Sequence, residues 1–173
     1  ASKKHEAWLK SRGAADVHDY ADAETPKRIA GAPPDIKYAF DTYSMNGSQE
    51  TIAGILTKEE ENRIVSILSV DEARVKQINP KTKATFFILY TVYGKRTEIF
   101  GALFEEDYCK EDAEALAKVC SGKDGLFYKL LSSGAVKPNR TSVQSGGFSG
   151  MFQGMDAMRQ NKVSGEKLVY PHA

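Results

Sequence analysis

Near the start of the chain, Ser2, Lys3 and Lys4 set one hydroxyl and two ammonium groups directly before helical sequence, with His5 next in line. Such donors at a helix N-terminus can receive a phosphate monoester, and the same run is equally an ordinary solvated helix start. Metal chemistry has less to work with. Cys109, Cys120, His5, His18 and His172 are too few and too scattered for a zinc spacing, so no metal site is expected. The two cysteines lie about three turns apart along one expected helix, which excludes a disulfide within it and favours two reduced thiols. The glycine cluster at 146–150 (GGFSG) opens a helix, and alone it does not make a dinucleotide-binding turn. No side chain is nominated as a catalytic acid or base.

The elements that would position such groups alternate along the chain. His5, Trp8, Leu9 and Arg12 follow helical spacing, with Gly13 placed to end that helix in the left-handed region. Residues 16–20 alternate as a strand, residues 24–29 read as a short helix with Pro26 in its first turn, and Pro33-Pro34 breaks the chain. A strand over 36–41, a helix over 46–57 capped by Asn46 or Ser48, and a strand over 64–68 follow. This order predicts a mainly parallel sheet covered on both faces. The glutamates at 59–61 and the basic residues over 76–83 read as loops. Residues 85–93 (TFFILYTVY) read as one continuous buried strand ended by Gly94, and the stretch to Asp107 as irregular. Leu116, Val119, Cys120, Leu126, Phe127, Leu130 and Leu131 keep a helical period, interrupted at Gly122 and Gly125 and closed by Gly134. A strand over 140–144, a helix after Gly146-Gly147 and a last strand over 167–170 complete the chain. Phe148, Met151, Phe152, Met155 and Met158 share one face of that helix, expected as core against the sheet. The strands at 38–41, 64–68 and 167–170 are expected in one sheet of one folding unit, residues 1–173.

Composition narrows the classes. The 173 residues are 41% hydrophobic, 10% aromatic and 27% charged, the profile of a soluble globular protein. A net charge of +1 gives no field that would recruit nucleic acid or an anionic membrane. The longest uncharged apolar stretch, residues 84–93, is about half of the roughly 20 residues that span a bilayer, and no export signal opens the chain, so a cytoplasmic location is expected.

Five ordered segments resemble one family. SGGFSGMFQGMDAMRQNKVSGEKLVYPHA is similar to the closing helix and strand of the medium-chain dehydrogenase/reductases, where a GL-like helix leads to a GKVSGKKLV-like strand. SRGAADVHDY resembles the family's S-x-GA-D-x-V-x-DY, IKYAFDTYS its K-Y-A-L-D-x-x-S, NRIVSIL its K-V-V-x-L-L strand, and FFILYTVYG the Y-T-V-F-G of fungal trans-acting enoyl reductases. The resemblance implies an α/β fold, a partial Rossmann-like domain that lacks the first βα unit with its glycine-rich turn and the N-terminal GroES-like domain. It implies NADPH as cofactor, a zinc-independent hydride transfer to an activated C=C bond of a small or polyketide-like enoyl substrate, and a chain inactive alone. Ser2, Lys3, Lys4 and His5 stand where the family's S-P-x-N-like loop receives the adenosine 2′-phosphate, which favours NADP over NAD. Tyr20 matches the tyrosine beside the adenine or its phosphate. Ile67 and Leu68 match the strand end under the nicotinamide ribose, and Val163 and Ser164 the loop touching the cofactor's far end. Leu89, Tyr90, Thr91, Val92 and Tyr93 match the strand lining the substrate pocket; alternation along a strand would turn Thr91 and Tyr93 to the cleft if Tyr90 and Val92 face the core. An oligomer stays open. The alternative is a non-enzymatic remnant or interaction module that keeps half of the fold and pairs through an exposed sheet edge.

Overall fold

The computed structural model describes residues 1–32, 36–99 and 101–171; the break expected at Pro33-Pro34 lies outside them. The chain folds as two compact units. The first comprises residues 1–3 and 16–119, the second residues 4–15 and 120–173.

The first unit is built on a three-stranded parallel sheet. Strands β1 (Tyr38–Asp41), β2 (Asn62–Ser66) and β3 (Thr82–Phe86) lie in that order, joined by helices α3 (Ser48–Ile55) and α4 (Glu72–Ile78). The register sets Ala39 beside Ile64 and Ile64 beside Ala84. These alternate residues turn to one face, where Ile64 and Ala84 join Ala53 and Leu56 from the α3 end and Val75 from α4 in a buried cluster. Polar groups inside it are matched. Asn79 Nδ2 donates to the carbonyls of Ala53, Leu56 and Thr57 at 3.1–3.3 Å, and Thr82 Oγ1 donates to Asn62 Oδ1 at 2.6 Å. The glutamates before β2 are solvated as expected, with Glu60 paired to Lys37 and Glu61 to Lys83.

Several boundaries move. Residues 16–20 form no strand, because their backbone is drawn into local turns: Asp16 Oδ1 accepts from Val17 N and Asp19 Oδ1 from Ala21 N. Helix α2 (Thr25–Ala30) follows, with Pro26 in its first turn. The cap of α3 is Gly47, at φ 76°, and Ser48 instead gives its hydroxyl to Asp41 Oδ2. The expected basic loop is helix α4 running into β3. The long apolar run does not stay extended: β3 ends at Phe86 and Leu89–Tyr93 is a 3-10 helix. After it come a hairpin of β4 (Thr97–Ile99) and β5 (Ala102–Phe104), read as irregular in the sequence, and helix α5 (Glu106–Val119).

In the second unit α1 (Glu6–Lys10) ends before Gly13, whose φ of 98° matches the expected left-handed stop. The leucine-rich stretch is interrupted where expected, α6 (Leu126–Ser132) beginning only after a 3-10 turn at Gly122–Asp124. β6 (Arg140–Val143) pairs in parallel with β7 (Glu166–Val169), so the last strand lies in its own two-stranded sheet rather than with β1 and β2. An apolar pattern marks a strand but not its neighbour. Helix α7 (Gly147–Arg159) also departs from expectation: it buries Gly150 and Gly154, while Phe148, Met151, Phe152, Met155 and Met158 are exposed. A methyl group built on Gly154 would overlap the Tyr170 hydroxyl, so the small face is the one that packs.

Candidate functional site

In open parallel sheets ligands sit beyond the carboxyl ends of the strands. At that end of β1, Asp41 is buried with its carboxylate filled, accepting the N–H groups of Tyr43 and Ser44 at 3.0 and 2.9 Å and the Ser48 hydroxyl at 2.6 Å. Its role is to tie the strand end to α3. Ser44 Oγ, which donates to the Asp41 carbonyl, accepts the N–H of Ile67 at 3.2 Å and so fixes the start of the Ile67-Leu68 segment. Both of those side chains are exposed. Just before them, the Ser66 hydroxyl is buried without a hydrogen-bond partner among the described residues, an orphan donor at the strand end that sequence reasoning passed over.

The residues at 89–93 are arranged by a three-residue turn rather than by strand alternation, which corrects the expected facing. Thr91 is buried, 2% exposed, and its Oγ1 lies 2.5 Å from Asp112 Oδ2 of α5 and 2.8 Å from the Ile88 carbonyl. Tyr90 and Tyr93, three apart, come to the same side with ring centroids 6.5 Å apart, Tyr93 at 71% exposure. With Lys95, Thr97 and Ile99 they line an open cleft of about 500 Å³. Leu89 is exposed and Val92 half-buried. Near Asp112, burial raises the Tyr108 hydroxyl above the ordinary tyrosine value, assisted by the Asp112 charge, so this phenol is neutral at pH 7.

The N-terminal candidates are brought into two contacts. In the first unit Ser2 Oγ donates to the Tyr20 hydroxyl at 3.4 Å, and Tyr20 is 75% exposed on a turn rather than at a strand end. Lys3 is exposed. In the second unit Lys4 is exposed and His5 Nε2 lies 2.9 Å from Ser164 Oγ, next to the half-buried Val163. The tautomer follows from Arg140. Its Nη2 is 3.1 Å from His5 Nδ1, and a guanidinium only donates, so Nδ1 accepts and Nε2–H donates to Ser164. The Ser164 hydroxyl proton is thereby left for another acceptor. Arg140 also donates from Nε to the Gly165 carbonyl at 3.1 Å and stacks 4.6 Å over the Trp8 ring. A side chain at Gly165, φ 70°, would come within 2.7 Å of His5 and 2.8 Å of Arg140. Arg140 is thus a site residue the sequence did not reveal, since nothing in its local pattern pairs it with a histidine 135 positions away.

The chain is similar over nearly its whole length to fungal trans-enoyl reductases. It is 27% identical over 164 residues to trans-enoyl reductase pvhC of Talaromyces variabilis, spanning 94% of this chain and 44% of that protein. Against trans-enoyl reductase caaB of Aspergillus niger it is 28% identical over 159 residues, 91% of this chain and 42% of the relative. The chain thus spans less than half the length of these curated relatives. No protein-family model matches it. Among solved structures, the CurF ER cyclopropanase from the curacin A biosynthetic pathway superimposes with a TM-score of 0.62 at 15% identity, covering 99% of this chain and 46% of that one. The CurK enoyl reductase gives 0.61 at 16%, with the same coverage. The α/β fold and the resemblance read from the sequence therefore hold, and the relatives are oxidoreductases. Among the described residues no helix is long and apolar enough to cross a membrane.

Proposed function

We propose that the chain is the cofactor-facing part of an NADPH-dependent enoyl reductase that acts on the activated C=C bond of a small or polyketide-like substrate. The observation that carries this reading is the co-linear similarity to trans-enoyl reductases over 91–94% of the chain. NADPH, when bound, supplies the hydride. The donor set suits a phosphate monoester: Ser2, Lys3 and Lys4 offer a hydroxyl and two solvated ammonium groups, and His5 orients Ser164 so that its proton is free. In this proposal Ser2, Lys3, Lys4 and His5 hold the adenosine 2′-phosphate with Tyr20 alongside. Ile67 and Leu68 pass under the nicotinamide ribose, and Val163 and Ser164 bound the far end. Leu89, Tyr90, Thr91, Val92 and Tyr93 belong to the substrate side, Thr91 as a positioning residue and the two tyrosines as the exposed surface.

Hydride transfer needs donor and acceptor carbons held about 3 to 3.5 Å apart, alignment worth roughly 7 to 11 kcal/mol. These 173 residues contain no G-x-G-x-x-G turn to fix a pyrophosphate, the GGFSG where β6 leads into α7 lacking that spacing, so the polypeptide by itself is proposed to lack turnover. A second reading, an interaction module, draws on β1, which has β2 as its one hydrogen-bonded neighbour among the described residues and carries Tyr38 at 78% exposure.

Titration with NADPH, 2′,5′-ADP and NADH tests the cofactor. The phosphorylated ligands are expected to bind more tightly at low salt and to lose that advantage as salt rises, and Lys4→Glu to weaken them alone. Equal binding of NADH and NADPH overturns the assignment. NADPH oxidation with a panel of enones, with this polypeptide alone and then with a co-expressed N-terminal half of a relative, separates the two readings. Turnover only in the mixture supports the reductase; none in either favours the module.

A further inference from the structure

Beside Trp8 the second unit contains a cleft of about 600 Å³ between the C-terminal end of α1 and residues 134–139. Leu9, Val136 and Pro138 give it apolar walls, Arg12 and Lys137 line it, and among the described residues no acidic side chain does. Among the described residues neither cation forms an ion pair with a carboxylate. Arg12 reaches across, donating from Nη2 to the Pro138 carbonyl at 3.2 Å, with its guanidinium 5.5 Å from the Trp8 ring centroid. Trp8 Nε1 is buried and finds no acceptor among the described residues. A buried donor left unmatched is costly, but with no accessible surface this one faces the packed interior rather than the cleft.

We propose that this cleft binds a small organic anion, with a carboxylate or phosphate monoester head against Arg12 and Lys137 and an apolar body along Leu9, Val136 and Pro138. The sign of the charge excludes amines and metal cations. The apolar walls and the volume fit a body of several carbons better than a bare inorganic ion. Lys4 and Ser164 are not among the lining residues, so the site is separate from the proposed cofactor contacts.

Trp8 is the chain's one tryptophan, so its fluorescence reports on this cleft directly. The whole polypeptide is titrated at low salt with octanoate, octyl phosphate, octanol and inorganic phosphate. Octanoate or octyl phosphate is expected to give a saturable change, the stronger of the two identifying the preferred head. Octanol should give none, and inorganic phosphate should bind at least about tenfold more weakly. The double variant Arg12→Gln/Lys137→Gln keeps the tryptophan and should weaken binding by about tenfold, as loss of two exposed charge contacts predicts. Lys4→Glu should leave octanoate binding unchanged, so this site and the cofactor reading can fail separately. The proposal is overturned by an equal response to octanol, by unchanged affinity in the double variant, or by the absence of saturation with both anions.

Discussion

The two units order themselves by different means. In the first, Ala53, Leu56, Ile64, Val75 and Ala84 form a buried apolar cluster, and the polar groups around it, Asp41, Asn79 and Thr82, are used up by internal hydrogen bonds. The second contributes no residue to the buried apolar set among the described residues. It relies on close backbone approach at Gly150 and Gly154, on Trp8 beneath two guanidinium groups, and on the His5, Arg140 and Ser164 chain. Burial and accessibility compete for the same side chains. The unit with the better core keeps few polar groups for a ligand, whereas the thinner unit keeps the Ser164 proton, Arg12 and Lys137 available.

The largest effect should come from the core. Ile64 is fully buried at the centre of the sheet, so Ile64→Ala is expected to destabilise by about 2 to 5 kcal/mol, read as a lower denaturation midpoint and lost amide protection in β2 and β3. A cost below about 1 kcal/mol would break the contrast, because the first unit would then not depend on its apolar cluster. Gly154→Ala probes the other kind of packing. In an open helix the change would stabilise by about 1 kcal/mol through helix propensity; against Tyr170 and Leu168 it should instead cost about 1 to 3 kcal/mol by overpacking. The sign alone decides whether close approach orders α7.

How much of this could be read in advance follows the same division. The parallel order of β1 and β2, the helix between them and the glycine stop after α1 were legible because each rests on local periodicity or on one residue's conformational freedom. Residues 89–93 were not: an apolar β-branched and aromatic run is compatible with a buried strand or a tight turn, and the Thr91 to Asp112 contact that favours the turn joins positions 21 apart. The stripe at 148–158 misled for a related reason. Helical spacing shows which residues share a face but not whether that face or the glycine face is covered, and here the glycines meet Tyr170. Of the candidate site, Ser2 with Tyr20 and His5 with Ser164 came together as pairs, while Arg140 and the Ser66 hydroxyl depend on tertiary neighbours that no local pattern announces.

A third, smaller effect is expected at Arg140. Arg140→Met keeps an apolar stem over Trp8 but loses the cation–π contact and the bonds to His5 Nδ1 and the Gly165 carbonyl, which together should cost about 1 kcal/mol. Trp8 emission and thermal unfolding measure it. Arg140→Lys retains the charge without the planar fork and should recover only part of the loss.

The smallest effect belongs to a polar contact of the first unit. Glu106 opens α5 and lies 2.7 Å from Lys110 one turn on, with both side chains more than half exposed. The hydrogen bond from Lys110, followed by its charge, lowers the Glu106 carboxyl below the ordinary glutamate value, and the same pair raises Lys110. A lowered carboxyl contributes stability that is present above its unfolded value and is lost as pH falls through the folded one; a raised ammonium contributes below its unfolded value and loses it as pH rises through the folded one. The pair therefore acts across the neutral range and vanishes at both extremes. Glu106→Gln should lower the unfolding midpoint slightly at pH 7, and the difference from the parent should close in acid and shrink with added salt, because water and ions screen the exposed charges. Should this variant lose as much stability at pH 7 as Arg140→Met, polar contacts would weigh equally in both units. A smaller loss, confined to the neutral window, would leave the first unit resting on its core and the second on the groups around Trp8.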